Sequence, residues 1–451
     1  MSGMPGLLIA YYGDDFTGST DAMEALTLGG VPTVLFFDPP APADLNAFPT
    51  ARAVGVAGVA RSKPPEWMDE NLPEIFSALH RLGAPLLQYK VCSTFDSSPR
   101  TGSIGHALAI GRRVLRSTMF SPIVVGAPAL KRYVVFGNLF AGVGPDTYRL
   151  DRHPTMSRHP VTPMNESDLV RHLGTMTNLR IAKFDMLALA DADPPARLGT
   201  LLESTPDAVL FDTLDAASLE RVGALVWSRA EPGMFAIASS GLNYALAAHW
   251  RATGFANPAT LQAPAPVDRI AIVSGSCSPT TAAQIAYAEQ RGFAALRVDP
   301  CAIAGEQSVG AEIDRIRESA LQALKSGRSV VAYTASGPDD PAVPRFEEFR
   351  KRSNLPGDAL NERIGRTLGT LLKDLLLATG VRRAMICGGD TSGPASRALG
   401  LHALTMRAPL APGSPLCAAH ARDARLDGLE IALKGGQVGG ADYFAAALGR
   451  A

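Results

Sequence analysis

Residues 7–21 have the sequence LLIAYYGDDFTGSTD, in which an apolar run leads into a glycine and two acids. The run 7–12 is typical of a buried strand, and the small and apolar residues at 22–26 favour a helix after it. A strand, a polar loop and a helix form the repeating unit of parallel α/β proteins. The stretch therefore predicts an α/β fold, with Asp14 and Asp15 at the carboxyl end of the first strand, where open α/β sheets bind ligands.

The same rhythm of short apolar runs between helix-like segments continues along the chain. Leucines and isoleucines at three- and four-residue spacing predict a core-packed helix at about 358–378. Strands that alternate with helices in this way indicate parallel sheets covered on both faces. Further strands are predicted at 32–37, 53–59, 86–91, 122–127, 207–211, 234–238, 269–273, 294–298, 329–333 and 384–387.

The length of the chain, 451 residues, exceeds what a single core holds and favours two domains. The segment 255–267 has three prolines among small residues and lacks helical or strand periodicity. We predict an N-terminal domain at 1–254, a linker at 255–267 and a C-terminal domain at 268–451. Each domain is expected to be a mostly parallel sheet flanked by helices, with the active site in the cleft between the two.

The composition indicates an ordinary globular protein, with 46% hydrophobic and 19% charged residues. Lys plus Arg and Asp plus Glu each total 43, so no overall field attracts nucleic acid or an anionic membrane. Neither a signal peptide nor an apolar run of roughly 20 residues, enough to span a bilayer, is apparent. We predict a cytoplasmic protein with small-molecule partners, and a homo-oligomer is compatible with the sequence. The cysteines, expected as reduced thiols without a CxxC pair, are Cys92, Cys277, Cys301, Cys387 and Cys417.

Two adjacent carboxylates after the first strand allow more than one role. Asp14 or Asp15 can hold substrate hydroxyls, accept a proton or help to orient a cation. Alternatively, one of the two only caps the helix that follows. Residue types alone favour the capping role, and the spacing does not decide which acid would act in catalysis.

Three glycine-rich stretches in the C-terminal part favour nucleotide binding: 274–280, 388–393 and 434–440. The first two follow predicted strands, so their backbone N–H groups can meet phosphate oxygens with little steric obstruction. Alternatively, these loops are tight turns in which Ser278 or Thr391 is the helix N-cap. Neither the P-loop motif nor the dinucleotide fingerprint occurs in the chain.

Taken together, these stretches resemble the four-carbon acid sugar kinase family. Asp14-Asp15-Phe16-Thr17-Gly18 is similar to the acid-Asp-Phe-Thr-Gly opening of that family. The resemblance covers nearly the whole chain and implies an α/β phosphotransferase that uses ATP and Mg²⁺ to phosphorylate an alcohol group of a short sugar acid. Its C-terminal elements occur in the family's order, at Ser274–Ser276, Gly388–Ser392, Ala411–Pro415 and Lys434–Gly436.

The resemblance also implies roles for individual residues. Asp14 and Asp15 are the candidate catalytic residues, and no residue is assigned as a dedicated metal ligand. Substrate binding is implied for Arg61, Lys90, Ser93 and Arg158, with Arg61 and Lys90 as cations for the substrate carboxylate. Nucleotide binding is implied for Ser274, Ser276, Ser278, Gly388, Gly389, Asp390, Thr391, Ser392, Gly413 and Gly436.

One segment departs from the family pattern, because most members carry Asp-Ser-Thr-Leu-Arg-Gly where this chain has Cys92-Ser93-Thr94-Phe95-Asp96-Ser97. This segment and the stretch 151–160 resemble a branch of the family linked to branched sugar acids, which favours 3-oxo-isoapionate as the substrate. The competing substrates are 3-oxo-tetronates and D-threonate or D-erythronate. Two other function classes are an NAD-dependent hydroxy-acid dehydrogenase, which the missing dinucleotide fingerprint disfavours, and a non-catalytic sugar-acid-binding protein.

Overall fold

The structure is a computed structural model that describes residues 6–159, 161–305 and 309–449. The chain divides into two compact units, residues 1–260 (unit 1) and 261–451 (unit 2). This division lies inside 255–267, whose role as a linker stays a prediction. In the described part of the chain, no helix combines the length and the apolar character needed to cross a bilayer.

Unit 1 contains a large parallel sheet and a small antiparallel sheet. Its strands are β1 (Ile9–Gly13), β2 (Thr33–Phe36), β3 (Ala53–Ala57), β4 (Leu86–Lys90), β5 (Ser121–Val124), β6 (Arg132–Val135), β7 (Asn138–Val143), β8 (Asp146–Arg149), β9 (Ile181–Phe184), β10 (Ala208–Phe211) and β11 (Met234–Ala238). The parallel sheet has the order β2-β3-β1-β4-β11-β5-β10-β9, and β6-β7-β8 form the antiparallel sheet. The central strands β1, β4 and β11 are buried along their whole length, as in sheets that helices cover on both faces.

Helices connect the strands of unit 1. They are α1 (Phe16–Leu28), α2 (Pro65–His80), α3 (Ile104–Leu115), α4 (Leu169–Gly174), α5 (Met186–Leu189), α6 (Pro194–Leu202), α7 (Ala216–Trp227) and α8 (Ser240–Ala252). Each strand predicted in this unit overlaps a strand of the parallel sheet, so the α/β prediction is confirmed. The antiparallel sheet was not predicted, because its apolar runs, 133–136 and 139–141, are short and are bounded by glycine and polar residues, and its strands are largely half-buried or exposed.

Unit 2 contains a mixed sheet. Its strands are β12 (Ala271–Ser274), β13 (Ala294–Arg297), β14 (Val330–Tyr333), β15 (Arg383–Cys387), β16 (Leu401–Ala411), β17 (Ser414–Ala421) and β18 (Glu430–Lys434). Strands β13-β14-β12-β15-β18 are parallel in that order, and β17 and β16 continue the sheet in antiparallel pairing. The prediction of a mostly parallel sheet is confirmed, whereas the β16–β17 hairpin was not predicted.

The helices of unit 2 include the one whose apolar stripe was clearest in the sequence. They are α9 (Pro279–Gln290), α10 (Pro300–Ala304), α11 (Val309–Lys325), α12 (Ala342–Arg352), α13 (Gly357–Thr379), α14 (Gly389–Leu399) and α15 (Tyr443–Ala446). Helix α13 confirms the helix predicted at about 358–378, and its predicted stripe is the face that it buries.

Candidate active site

In unit 1, the loops that follow three neighbouring strands emerge side by side. The last residue of β1, Gly13, pairs with Ala57 of β3 and with Lys90 of β4. The backbone N–H of Asp14 donates to the Lys90 carbonyl at 2.9 Å, and the N–H of Arg61 donates to the Asp14 carbonyl at 3.0 Å. The register of the sheet therefore brings together Asp14, Arg61 and Lys90, which the sequence analysis had assigned to one site.

Arg61 contacts both acids of the first loop. Its Nη2 donates to Asp14 Oδ1 at 2.8 Å and to Asp15 Oδ1 at 3.0 Å. Its Nε donates to Asp14 Oδ2 at 3.3 Å, and Nη1 donates to Asp15 Oδ2 at 3.0 Å. The guanidinium group thus uses most of its five donors on the paired acids. Its contact with a substrate carboxylate stays a prediction.

Asp15 also caps helix α1. Its Oδ1 accepts a hydrogen bond from the backbone N–H of Gly18 at 2.9 Å, and its Oδ2 accepts one from the Thr17 hydroxyl at 2.9 Å. With the two bonds from Arg61, this carboxylate accepts four hydrogen bonds, which is about its full capacity. The capping interpretation is therefore confirmed for Asp15, in addition to its ion pair.

Asp14 has a different environment and is only 3% exposed. Among the described residues, its carboxylate accepts hydrogen bonds from Arg61 alone, so it retains acceptor capacity. Burial raises the pKa of Asp14 to about 6, although the Arg61 charge opposes this shift and the Asp15 charge adds to it. A carboxylate with a pKa near neutrality and spare acceptor capacity suits a general base better than Asp15 does.

Lys90 is the second cation of this site and is 2% exposed. Its ammonium nitrogen forms a long ion pair with Asp21 Oδ2, at 3.8 Å, so a closer anion could still bind it. Oδ1 of Asp21 is buried and has no hydrogen-bond partner among the described residues. The sequence analysis missed Asp21, although it follows Gly18 by three positions on one helix face. We define the charged cluster as Asp14, Asp15, Asp21, Arg61 and Lys90.

Gly18 gives the charged cluster the space that it needs. It lies in the first turn of α1, where alanine would ordinarily favour a helix by about 1 kcal/mol. A Cβ atom here would lie 2.3 Å from Lys90 Nζ and 2.3 Å from Asp15 Oδ1. We therefore expect Gly18→Ala to destabilise unit 1 by about 1–3 kcal/mol, measured by urea unfolding, because both side chains must move.

The matched control for this prediction is Gly174→Ala, at the last residue of α4. A Cβ atom there would meet nothing within 4 Å. We expect that variant to stay within about 0.5 kcal/mol of the wild-type stability. Equal stabilities of the two variants would contradict the close approach of Lys90 and Asp15 to Gly18.

The polar segment after β4 lies beside the charged cluster. Thr94 Oγ1 donates to Asp96 Oδ1 at 2.6 Å and lies 2.9 Å from Cys92 Sγ. Arg61 interacts electrostatically with Asp96, so the segment is close to the cluster. Ser93 is half-buried, and its hydroxyl makes no hydrogen bond within the described chain. Its role in substrate binding stays a prediction.

Arg158 is exposed in a short 3₁₀ turn, Met156–Arg158, and forms no ion pair with a described residue. The neighbouring His159 interacts electrostatically with Asp96, which places the turn near the polar segment. Pro160, the last residue of the stretch that was compared with the branched-acid branch, lies outside the described residues. Arg158 does not join the charged cluster, and its role in substrate binding stays a prediction.

In unit 2, the three glycine-rich stretches follow adjacent strands. The register pairs Cys387, at the end of β15, with Ser274 of β12 and with Lys434 of β18. Hydrogen bonds join the loops: the N–H of Gly275 donates to the Cys387 carbonyl at 3.0 Å, and the N–H of Gly388 donates to the Lys434 carbonyl at 2.8 Å. The sheet therefore gathers the three loops, which we call the glycine loops, at one edge.

Hydroxyl groups link the first and third glycine loops. The Ser278 hydroxyl donates to the Gly436 carbonyl, and Ser278 also caps α9 by accepting from the N–H of Thr281 at 3.1 Å. Ser276 Oγ lies 3.0 Å from Thr281 Oγ1. Ser274 Oγ accepts from the N–H of Ser276 at 3.3 Å. The predicted N-cap at Ser278 is confirmed.

The alternative in which Thr391 is the N-cap of α14 is wrong. Helix α14 begins at Gly389, because Gly388 adopts a φ of 118° and takes the cap position itself. Thr391 instead lies inside the first turn, where its Oγ1 would be 2.2 Å from a Cβ at Gly275 and 2.8 Å from a Cβ at Gly388. The two glycines are required for this packing, and Gly388 also for its backbone conformation.

Lys434 is a buried cation among the glycine loops that the sequence analysis did not assign. Its Nζ donates to Thr281 Oγ1 at 2.9 Å and to the Gly435 carbonyl at 2.9 Å. Burial lowers the pKa of this lysine. Its position as the last residue of β18, directly before two glycines, is the sequence signal that marks it. A third bond, to the Gly436 carbonyl at 3.4 Å, leaves the ammonium group as a buried positive charge beside main-chain N–H groups, an environment that suits a phosphate anion.

The other residues that were predicted to bind the nucleotide differ in exposure. Gly389 and Asp390 are exposed in the first turn of α14, and Asn361 Nδ2 donates to Asp390 Oδ2 at 3.3 Å. Ser392 is buried and donates to the Gly388 carbonyl at 2.8 Å. Gly413 has a φ of 82° in the turn between β16 and β17. These placements leave the carboxylate of Asp390 accessible to a divalent cation, which prefers oxygen ligands.

Known protein families match both units. The family described as "Sugar-binding N-terminal domain" matches residues 9–246, and the family described as "Nucleotide-binding C-terminal domain" matches residues 271–444. Among curated proteins, the 3-oxo-isoapionate kinase of Paraburkholderia graminis is 51% identical over 97% of this chain and 93% of its own length. The 3-oxo-tetronate kinase of Methylobacterium radiotolerans is 32% identical over 98% of this chain and 99% of its own.

Solved structures share the fold. A Salmonella typhimurium LT2 protein, assigned provisionally as a tRNA synthase, aligns with a TM-score of 0.78 at 26% identity and covers 97% of this chain and 98% of its own. A Haemophilus influenzae protein aligns with a TM-score of 0.70 at 23% identity, over 98% of this chain and 99% of its own.

Proposed function

Because the chain belongs to the family in which a sugar-binding N-terminal domain precedes a nucleotide-binding C-terminal domain, we propose that it transfers the γ-phosphate of ATP to a hydroxyl of a short sugar acid. The 51% identity to a 3-oxo-isoapionate kinase over 97% of the chain carries this proposal and makes 3-oxo-isoapionate the proposed substrate. A 3-oxo-tetronate, the substrate named for the 32% identical relative, is the second candidate. The described cysteines are free thiols, which supports a cytoplasmic location.

Lys90 is the proposed anchor for the carboxylate of the acid. Its ammonium group is buried, and a buried charge needs a partner of opposite sign. Asp21, at 3.8 Å, supplies only a loose ion pair, so a substrate carboxylate can become the closer partner. Ser93 supports the same role with a hydroxyl that makes no hydrogen bond to any described residue.

The glycine loops are the proposed site for the phosphates of ATP. Main-chain N–H groups at the starts of α9 and α14 supply donors without steric obstruction, and the hydroxyls of Ser276 and Ser278 lie beside them. Asp390 is the proposed contact for Mg²⁺, since its carboxylate is exposed beside these donors. Mg²⁺ bound with ATP would neutralise charge on the phosphate oxygens as phosphoryl transfer proceeds.

Asp14 is the proposed general base. In-line attack on the γ-phosphate requires a hydroxyl that is oriented and that loses its proton. Arg61 holds Asp14 in place, and the remaining acceptor capacity of Asp14 allows it to take that proton. Asp15, which caps α1 and already accepts four hydrogen bonds, is assigned the task of positioning Arg61.

The test is ADP release from MgATP in a coupled assay, across 3-oxo-isoapionate, 3-oxo-tetronate, D-threonate and D-erythronate. We expect the highest kcat/KM with 3-oxo-isoapionate. Lys90→Met is expected to raise KM for the acid by about 10- to 100-fold and to leave KM for ATP unchanged, since it removes a charge-assisted bond to the acid alone. Absence of ADP release with every acid, together with NAD reduction by one of them, would overturn the kinase proposal in favour of a dehydrogenase.

A further inference from the structure

We propose that Asp96 is a specificity-determining residue that accepts a hydrogen bond from the hydroxymethyl branch of the sugar acid. This inference rests on the proposed function. It goes further, because it explains how one segment would distinguish a branched acid from the corresponding acid that lacks the branch. 3-Oxo-isoapionate and 3-oxo-tetronate differ by that hydroxymethyl group.

The carboxylate of Asp96 is held in a defined position. The residue is 8% exposed, and Thr94 Oγ1 donates to its Oδ1 at 2.6 Å. Within the described chain Asp96 accepts hydrogen bonds from Thr94 and from the Cys92 thiol, whereas a carboxylate can accept about four bonds. Asp96 therefore keeps acceptor capacity for a ligand, as Asp14 does.

The turn that carries Asp96 is anchored in the core. Phe95 is fully buried with a φ of 55°, and its ring lies 6.2 Å from the ring of His172. Ser97 donates to the Phe95 carbonyl at 3.0 Å and lies 2.9 Å from His172 Nε2. Because the turn is fixed on both sides of Asp96, its carboxylate cannot move away from a ligand at little cost.

The charges around Asp96 favour a hydroxyl donor. Burial opposes ionisation, but the Arg61 charge and the Thr94 hydrogen bond together lower the pKa of Asp96, so this residue accepts hydrogen bonds and donates none. Burial also raises the pKa of the Cys92 thiol, which stays uncharged. A second carboxylate on the ligand would be repelled here, and a ketone oxygen has no proton to donate. Hydroxyls are the donors that a sugar acid provides.

The location of Asp96 connects it to the branch. The charged cluster follows β1 and β4 and is assigned to the carboxylate and the reacting hydroxyl, which both acids possess. Asp96 lies in the segment 92–97, where this chain departs from the common family pattern by placing an acid at an arginine position. Replacing a hydrogen-bond donor, arginine, by a hydrogen-bond acceptor, Asp96, suits a substrate that has one more hydroxyl group.

The experiment compares Asp96→Ala and Asp96→Asn with the wild-type protein on both acids. Asp96→Ala is expected to lower kcat/KM for 3-oxo-isoapionate by about 10- to 100-fold and for 3-oxo-tetronate by less than about threefold. Asp96→Asn, which keeps an acceptor oxygen, should lose less on the branched acid. Arg100→Ala, an exposed change in the same loop, is the control and should retain wild-type kinetics on both acids.

Equal losses on the two acids, or no loss on either, would overturn the specificity role. Thermal unfolding of each variant separates a specificity effect from misfolding, and Asp96→Asn preserves the shape of the side chain if Asp96→Ala fails to fold. If the wild-type protein phosphorylates neither acid, the proposed function fails. Calorimetric binding of the two acids then still tests Asp96, and unchanged binding in both variants would refute it.

Discussion

Asp14→Asn is expected to lower kcat by about 10²- to 10⁴-fold and to leave KM for ATP essentially unchanged. The amide preserves the shape of the side chain but cannot accept the proton of the attacking hydroxyl. Arg61 stays in place, since it keeps both bonds to Asp15. Single-turnover kinetics with saturating ATP would measure the loss, because they separate the chemical step from product release.

The pH dependence gives this prediction a second readout. A base must be ionised, and burial raises the pKa of Asp14 to about 6, so kcat/KM for the acid should fall as pH decreases through about 6 and level off above it. In Asp14→Asn, this fall of kcat/KM at low pH should be absent. Asp15→Asn is the matched control and should reduce turnover less, while it destabilises the cap of α1. If Asp15→Asn loses as much turnover as Asp14→Asn at wild-type stability, the base is Asp15.

Arg383→Met is expected to destabilise unit 2 by about 3–5 kcal/mol, because it breaks a buried ion pair. Arg383 is 1% exposed, and its Nη2 lies 2.6 Å from Glu430 Oε2. The same guanidinium group donates to the carbonyl of Ala447 at 2.8 Å and to that of Ala265 at 2.9 Å. Its removal leaves a partly buried carboxylate and two carbonyls without this partner. Urea unfolding, followed through the transition of unit 2, measures the change.

Arg407→Met is the matched control, since Arg407 contacts the same glutamate from the surface. Its side chain is 67% exposed, and its Nε lies 3.9 Å from Glu430 Oε1. An exposed ion pair contributes about 0–1 kcal/mol, so this variant should remain close to wild type. Comparable losses in the two variants would mean that burial does not strengthen the Arg383 contact, contrary to the prediction.

The sequence predicted elements whose signal is local. Strands such as β1 and β11 are buried along their whole length and therefore appear as continuous apolar runs. Helix α13 was found by its regular stripe of leucines. The strands β6 to β8 were missed because their apolar runs are short and are bounded by glycine and polar residues. The β16–β17 hairpin was missed because it depends on pairing between two strands rather than on a local apolar run.

The sequence named several residues that the structure brings together, but not their pairings. Arg61 was expected to hold a substrate carboxylate, yet it contacts Asp14 and Asp15, and only the register of β1 and β3 brings these residues together. Thr391 was considered as an alternative helix cap, because the actual cap at Gly388 depends on a backbone angle that residue types do not specify. Lys434 was overlooked because its partners lie on distant segments.

The glycine loops and the charged cluster differ in how they can change during evolution. The proposed phosphate contacts come largely from main-chain groups that every residue except proline carries, whereas the proposed acid contacts come from individual side chains. A single codon change can therefore replace a contact to the acid, as at Asp96, but it rarely removes a main-chain contact without disturbing the fold. Related enzymes are expected to diverge in the acid that they accept while they retain the same phosphate donor.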